Sequence, residues 1–200
     1  MKKYKRSYRF FLIILSSIIF TSCTVVQFKT ASPKQGEKLE IFPDELIGEY
    51  VNVKKLSDTL IISKKEYKIG RVKYAKNIIF EHGDLSDRSF LLKQIDGFYI
   101  LNIRKHEDEG FWLALPIKLK ENVLKVYYLN LELETKDKEK QAAYRKEKLK
   151  LLKSITEVKL TSKENSKGDT YLINPTDKEL NRMLNTDLFD EILEFKKIVE

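Results

Sequence analysis

Residues 89–104 read SFLLKQIDGFYILNIR, and they form the clearest structural unit in the sequence. Two apolar-rich segments, Phe90 to Ile95 and Phe98 to Ile103, are separated only by Asp96-Gly97. An Asp-Gly pair suits a type I′ turn, because both central residues of that turn take positive φ. The stretch therefore predicts a β-hairpin, whose two strands pair antiparallel.

Strand-like segments with short connections continue on both sides of this hairpin. Leu60, Ile62, Tyr67 and Ile69 alternate with polar neighbours around Lys64-Lys65, which predicts a second hairpin. Short connections imply antiparallel neighbours, since a parallel pair needs a long crossover. The predicted strands are Leu46 to Val53, Thr59 to Ser63, Glu66 to Arg71, Lys73 to Glu81, Phe111 to Lys120 and Val123 to Leu133.

The fold class that follows is mainly β (α+β), an antiparallel up-and-down meander. A sheet with this many strands can curl into a barrel and so remove its exposed edges. Pro116 lies inside one predicted strand and cannot donate a ladder hydrogen bond. Its strand is therefore predicted to lie at an edge or to carry a bulge.

A helix is predicted near 137–153, where helix-forming residues predominate. Residues 136–154 contain eight Lys or Arg and three Asp or Glu, a net charge of +5. Two interpretations stay open for this basic helix. It contacts anionic lipid or an acidic partner, or it is a solvated helix packed on the sheet by a few leucines.

The C-terminal region is predicted to contain two short strands, Ile155 to Thr161 and Thr170 to Ile173, followed by a helix or helices near 177–198. Thr176 and Glu179 have the spacing of a capping box at a helix start. Asn185-Thr186-Asp187 could divide the helical region into two. The core-facing stripe at helical spacing consists of Leu180, Leu184, Leu188, Ile192, Phe195 and Val199.

Residues 1–22 have the dimensions of a signal peptide. Five basic residues and no acidic residue precede an apolar stretch of eleven residues, Phe10 to Phe20. As a helix this stretch would reach about 16 Å, whereas a bilayer core is about 30 Å thick. The segment is therefore expected to be removed and not to span a membrane.

The run Phe20-Thr21-Ser22-Cys23 resembles the lipobox of bacterial lipoproteins, and Cys23 is the only cysteine. The resemblance implies a diacylglycerol thioether on Cys23, cleavage before it, and acylation of the new amino terminus by a fatty acid such as palmitate. Two or more acyl chains anchor a protein stably. Thr24 is not the aspartate linked with inner-membrane retention, so the expected location is the cell envelope, with the outer membrane preferred if the cell has two membranes.

The predicted organisation is a signal peptide at 1–22, a lipidated cysteine with a flexible tether at 23–43, and a single β-rich globular domain with accessory helices at 44–200. Without the signal the charge falls from +8 to +3, so nucleic acid is not an expected partner. The expected partners are the membrane, through the anchor, and a small lipophilic ligand or an envelope protein. An acylated Cys23 also leaves no thiol for a disulfide.

Catalytic motifs are missing from the sequence. His82 and His106 have no histidine or cysteine at metal-ligand spacing, and there is neither a nucleophile elbow nor a phosphate-binding loop. Glu107-Asp108-Glu109 is interpreted as a charged hairpin tip and not as a cation site. The expectation is a protein that is not an enzyme and has no cofactor or metal, although a hydrolase whose site is assembled from distant strands stays an alternative.

Gly48-Glu49-Tyr50 resembles the Gly-x-aromatic opening of lipocalin-like barrels. In those families the glycine permits a close approach, the aromatic side chain plugs the barrel floor, and a small apolar ligand binds inside. The resemblance implies a lipocalin-like barrel and a non-enzymatic binding module for a small lipophilic ligand. The alternative is a structural or adaptor lipoprotein that binds another envelope protein. A ligand holder needs an apolar cavity of several hundred Å³, whereas an adaptor has a filled interior.

Overall fold

The computed structural model describes residues 24–73, 76–104, 110–133, 135–161 and 169–199. These residues form one sheet and two helices, and every strand pair but β1 with β12 is antiparallel. The elements are β1 (Val25–Phe28), β2 (Lys38–Leu39), β3 (Gly48–Asn52), β4 (Asp58–Ile62), β5 (Glu66–Lys73), β6 (Lys76–Asp84), β7 (Phe90–Ile95), β8 (Phe98–Arg104), β9 (Trp112–Lys120), β10 (Val123–Leu129), α1 (Lys138–Lys153), β11 (Val158–Leu160), β12 (Thr170–Ile173), α2 (Asp177–Leu184) and β13 (Phe189–Lys197).

A curled antiparallel sheet forms the body of the molecule. Strands β3 to β6 pair in sequence order, and so do strands β7 to β10. Strand β13 lies between β10 and β3 and joins the two meanders. The mainly antiparallel β fold predicted from the sequence is confirmed, and the curl is consistent with a lipocalin-like barrel.

Side chains close the curl between β6 and β7. No backbone pairing joins these two strands in the described part of the chain. Instead the ring of Phe90 in β7 meets the ring of Tyr67 in β5 edge to face, with centroids 6.1 Å apart. Gly83 in β6 admits both rings, since a Cβ there would lie 2.2 Å from Tyr67 Cε1 and 2.9 Å from Phe90 Cε1. Aromatic packing thus takes the place of ladder hydrogen bonds at this seam.

The predicted hairpin at 89–104 is confirmed. Ile95 pairs with Phe98 across the turn, and the turn residues Asp96 and Gly97 have φ of 47° and 75°. Pro116 of β9 pairs with Ile100 of β8 on one side. On the other side, β9 pairs with β10 from Ile117 onward and with β1 at Trp112. Pro116 lies between these two pairings, at a local edge where the sheet forks.

A cluster of buried apolar side chains, termed the barrel cluster, packs inside the curl. Almost every strand of the curl contributes at least one member, and Phe42 and Leu46, which precede β3, pack among them. Each member is at most 6% exposed. The cluster consists of Phe42, Leu46, Tyr50, Leu60, Ile62, Tyr67, Leu85, Leu92, Tyr99, Leu101, Ile117, Leu124 and Phe195.

A second cluster, termed the outer cluster, packs the helices and the small β1–β12–β11 sheet against the outside of the curl. Strand β8 serves both clusters, because Ile100 points into the outer cluster while its neighbours Tyr99 and Leu101 point into the barrel cluster. The outer cluster consists of Val26, Phe28, Ile100, Trp112, Ala114, Leu129, Leu131, Leu152, Ile155, Tyr171, Ile173, Leu180, Met183 and Leu188.

The prediction of helix throughout 177–198 is wrong in its second half. Helix α2 begins with the predicted capping box, in which Thr176 and Glu179 bond each other's backbone, and it ends at Leu184. Residues 189–197 form β13 instead. Pairing with β10 and β3 satisfies the backbone on both edges, which outweighs the helical spacing of the apolar residues. Ile192, placed in the core-facing stripe by the sequence, is 44% exposed.

The prediction of a flexible tether at 23–43 is also wrong for residues 24–43. Strand β1 pairs parallel with β12, so Val26 and Phe28 lie in the outer cluster, and Phe42 lies in the barrel cluster. Ser32 is 1% exposed and is bonded to Asn102. Burial of the apolar side chains in this segment stabilises the ordered chain. This stabilisation outweighs the tendency of the prolines and the glycine to favour a flexible linker.

Candidate membrane-facing surface

Thr24, the residue after Cys23, is fixed to the fold. It is 3% exposed, and its backbone N–H donates to Glu132 Oε1 at 2.8 Å. The next residue, Val25, donates its N–H to the carbonyl oxygen of Asp169 at 3.0 Å. The chain is therefore held at its first described residue and does not reach the fold through a slack linker.

Arg145 of α1 completes a group of side chains around this point. Its Nη2 lies 3.1 Å from Glu132 Oε1, the same oxygen that accepts from Thr24, and its Nη1 lies 3.9 Å from Asp169 Oδ2. Thr24, Glu132, Arg145 and Asp169 are termed the N-terminal cluster. Through the shared carboxylate of Glu132, the cluster connects Thr24, the residue after the predicted anchor, to α1.

Helix α1 has a defined start and a polar attachment to the sheet. Asp137 caps it by accepting from the N–H groups of Glu139 and Lys140 at 3.0 and 3.1 Å. On its inner face Lys148 Nζ lies 2.8 Å from Asp190 Oδ1, and the Tyr144 hydroxyl donates to Asp190 Oδ2 at 2.6 Å. Burial and the hydrogen bond to Asp190 raise the pKa of Tyr144. The helix predicted near 137–153 is confirmed.

One flank of α1 carries only positive charge. A shallow groove with a volume of about 710 Å³ runs along this flank. The groove is lined by residues of α1 alone, so it is open to solvent and is not an enclosed cavity. Five of the eight lining residues are basic and none is acidic. The lining residues, termed the basic flank, are Lys138, Gln141, Ala142, Arg145, Lys146, Leu149, Lys150 and Lys153.

Three acidic side chains beside α1 are paired with cations other than the flank lysines. Asp137 is 3.7 Å from Lys140, Asp190 pairs with Lys148, and Glu132 pairs with Arg145. Within the described ranges, no ion pair is recorded for the four lysines of the basic flank, all of which are exposed: Lys138, Lys146, Lys150 and Lys153. Their charge is available to a partner outside the chain.

The residues singled out in the sequence are not gathered at one place. Cys23, His106 and Glu107-Asp108-Glu109 lie outside the described residues. His82, which directly follows the predicted strand Lys73 to Glu81, lies on β6 with its Nε2 3.5 Å from Glu66 Oε2, and it is exposed. Among the described residues no group of three or more His, Cys, Asp or Glu is placed to hold a metal ion. In the same residues, no helix is long and apolar enough to cross a bilayer.

Gly48 and Tyr50, the two residues of the Gly-x-aromatic resemblance to lipocalins, lie in β3. Tyr50 is fully buried and its hydroxyl donates to the carbonyl oxygen of Leu46 at 2.8 Å, which links β3 to the residues just before it. Burial raises the pKa of Tyr50 to about 12. Gly48 has φ of 150° and lets the Lys197 side chain pass, since a Cβ would lie 2.6 Å from Lys197 Cε.

No protein-family model, curated protein or solved structure matches the chain. The resemblance to lipocalins rests on Gly48, Tyr50 and the curled sheet.

The sequence predicts the charge of α1 but not the N-terminal cluster. Glu132 and Arg145 are 13 positions apart, and Thr24 and Glu132 are 108 apart. Spacing within the sequence carries no signal for such contacts, because they depend on how β1 enters the sheet. The only local hint was the apolar run Val25-Val26, which favours a strand over a tether.

Proposed function

We propose that this protein is a lipid-anchored cell-envelope protein whose domain is a non-enzymatic binding module that acts through its outer surface. The anchor is Cys23, acylated after removal of residues 1–22. The observation that carries the surface role is the basic flank of α1, which lies beside the point where the anchored end joins the fold. The partner is another component of the envelope.

The burial of the barrel cluster favours a surface role over a small lipophilic ligand held inside the curl. A side chain that lines a void large enough for water or a ligand exposes surface to that void. The members of the barrel cluster are at most 6% exposed, and six of them are 0–1% exposed. A binding pocket for a drug-sized apolar ligand has a volume of about 300 Å³ or more.

The position of Thr24 supports anchoring at Cys23. Cys23 directly precedes Thr24, whose N–H is bonded to Glu132, and the sheet pairing of β1 begins only at Val25, so acylation of Cys23 would not remove any of these bonds. Thr24 at the second mature position is also the basis for proposing the outer membrane where the cell has two membranes.

The test of anchoring compares Cys23→Ser with the matched control Ser22→Ala, which keeps a small residue before the cysteine. The unaltered protein and the control should enter the detergent phase and incorporate a fatty-acid probe, whereas Cys23→Ser should lose the label. Intact mass should show that 22 residues are absent and that acyl chains are added. Residues 1–22 still attached without acyl chains would contradict the anchor.

Native mass spectrometry of the same acylated protein tests the role of the interior. After release from detergent, the expected mass is that of the mature lipidated chain alone. A stoichiometric apolar adduct that survives release, and that is lost when Leu124→Arg places a charge in the barrel cluster, would favour the ligand holder over the surface role.

A further inference from the structure

We propose that the basic flank of α1 lies on the anionic headgroups of the bilayer that holds Cys23, so that the domain is docked on the membrane in one orientation. This inference rests on the proposed function, because the anchor supplies the membrane. It adds the partner of the surface, an anionic phospholipid layer, and the residues that contact it.

The connection between the anchor and the fold is short, because Cys23 directly precedes Thr24. Adjacent Cα atoms are about 3.8 Å apart, so acylated Cys23 places the membrane surface within a few ångströms of Thr24. Thr24 cannot move away independently, because its N–H is bonded to Glu132 and Val25 is paired in the sheet. The face of the domain around Thr24 is therefore turned to the bilayer.

The face of the domain around Thr24 includes the basic flank. Glu132 Oε1 accepts from Thr24 and from Arg145, and Arg145 belongs to the basic flank. The flank extends from Lys138 to Lys153, about 22 Å along the helix axis at 1.5 Å per residue. Arg145 lies midway, so the anchor joins the fold beside the centre of the flank and not at one end.

The charge of the basic flank complements an anionic bilayer surface. The four flank lysines are exposed and, among the described residues, free of ion pairs, whereas Arg145 is occupied by Glu132 and Asp169. A lysine close to an anionic leaflet favours the bound state by about fivefold. Ala142 and Leu149 between the lysines offer an uncharged floor, against which lysine stems can lie while their ammonium groups reach phosphates.

An acidic protein would complement the same charge, but the position of the flank favours lipid. A protein partner must compete for a surface that the anchor already holds against the bilayer. An anionic lipid is present there at high local concentration, because Cys23 tethers the flank to the lipid layer.

The experiment uses the acylated protein in vesicles that contain a nitroxide-headgroup lipid, either zwitterionic or with phosphatidylglycerol. A fluorophore is attached to Ala142→Cys on the flank or, as control, to Lys64→Cys in the turn between β4 and β5, which contacts Phe42 of the barrel cluster. The flank label should be quenched severalfold more than the control label in anionic vesicles. The difference should diminish in zwitterionic vesicles and at about 1 M salt, where the screening length is about 3 Å.

Charge variants separate the flank from net charge. Replacing Lys138, Lys146, Lys150 and Lys153 by Gln should reduce the ratio of docked to undocked protein by about a hundredfold, at about fivefold per lysine with partial additivity. The matched control replaces Lys54, Lys55, Lys64 and Lys65, four exposed lysines in the turns that flank β4, and should leave quenching unchanged. Equal loss in both variants would overturn the proposal.

The anchor and the docking fail in distinguishable ways. Flotation with zwitterionic vesicles reports the anchor alone, and its loss would contradict the proposed function. Flotation with equal quenching of the two labels in anionic vesicles would keep the anchor and overturn the docking. A flank label that is unquenched in anionic vesicles but responds to soluble polyglutamate would assign the flank to an acidic protein and likewise overturn it.

Discussion

Asn102 fastens the N-terminal segment to the sheet. It is fully buried in β8, where its Oδ1 accepts from the Ser32 N–H at 2.8 Å and its Nδ2 donates to the Ser32 carbonyl at 2.8 Å. The same Nδ2 lies 3.3 and 3.1 Å from the carbonyl oxygens of Leu91 and Ile100. One side chain thus pairs with both backbone groups of a residue 70 positions away, as a neighbouring strand would do.

Asn102→Ala should lower the free energy of unfolding by about 2–4 kcal/mol, because the buried N–H and C=O of Ser32 lose their partners. Residues 29–38 should also become sensitive to trypsin in the folded protein. Chemical denaturation and limited proteolysis measure the two effects. The control Asn185→Ala, an exposed residue that bonds Asn181 within α2, should cost less than about 1 kcal/mol and leave the N-terminal segment resistant. Equal effects of both variants would show that Asn102 does not hold the segment.

At the scale of elements, the sequence was informative where the signal is local. The Asp96-Gly97 turn and the Thr176–Glu179 capping box each depend on residues within a few positions, and each was predicted. Strand β13 was missed because Phe189 to Lys197 is a strand only when β10 and β3 lie on either side of it. The candidate surface was half predictable, since composition identifies a basic helix but not its contact with Thr24.

The attachment of α1 to β13 gives the second prediction. Asp190→Ala should destabilise the protein by about 3 kcal/mol, because it leaves the Lys148 ammonium, on a side chain 10% exposed, and the Tyr144 hydroxyl without their carboxylate. Urea denaturation measures the change. The adjacent Glu191→Ala removes only a more exposed pair with Lys125 and should cost less than about 1 kcal/mol.

A rescue variant distinguishes charge pairing from packing at this contact. Replacing both partners, Lys148→Met together with Asp190→Leu, removes the buried charges and should recover most of the stability lost in Asp190→Ala. If Asp190→Ala costs no more than Glu191→Ala, or if the double variant is no more stable than Asp190→Ala, the ion pair is not what holds α1.

At the scale of the whole molecule, the two clusters are joined by a shared strand. Strand β8 places Tyr99 and Leu101 in the barrel cluster and Ile100 in the outer cluster, so neither cluster can lose its packing without disturbing β8. Residues 24–43 add a second link, with Phe28 in one cluster and Phe42 in the other. The sequence could not show this arrangement, because an apolar run such as Phe98 to Leu101 does not reveal which face meets which partner.

This linkage predicts that the protein unfolds in one transition. Leu152 and Leu124 are both fully buried, one in each cluster, and truncation of either to Ala should cost about 2–5 kcal/mol. Trp112, the only tryptophan, reports the outer cluster by fluorescence, while far-ultraviolet circular dichroism reports the sheet. In urea the two signals should have the same midpoint in the unaltered protein, and both midpoints should fall together in each variant.

The control Leu133→Ala should shift the midpoint little, since Leu133 is 38% exposed. If the fluorescence of Leu152→Ala changes at a lower urea concentration than its circular dichroism, the outer cluster and its helices unfold independently of the curled sheet. In a domain of that kind, docking of α1 on a membrane could not fix the orientation of the rest of the fold.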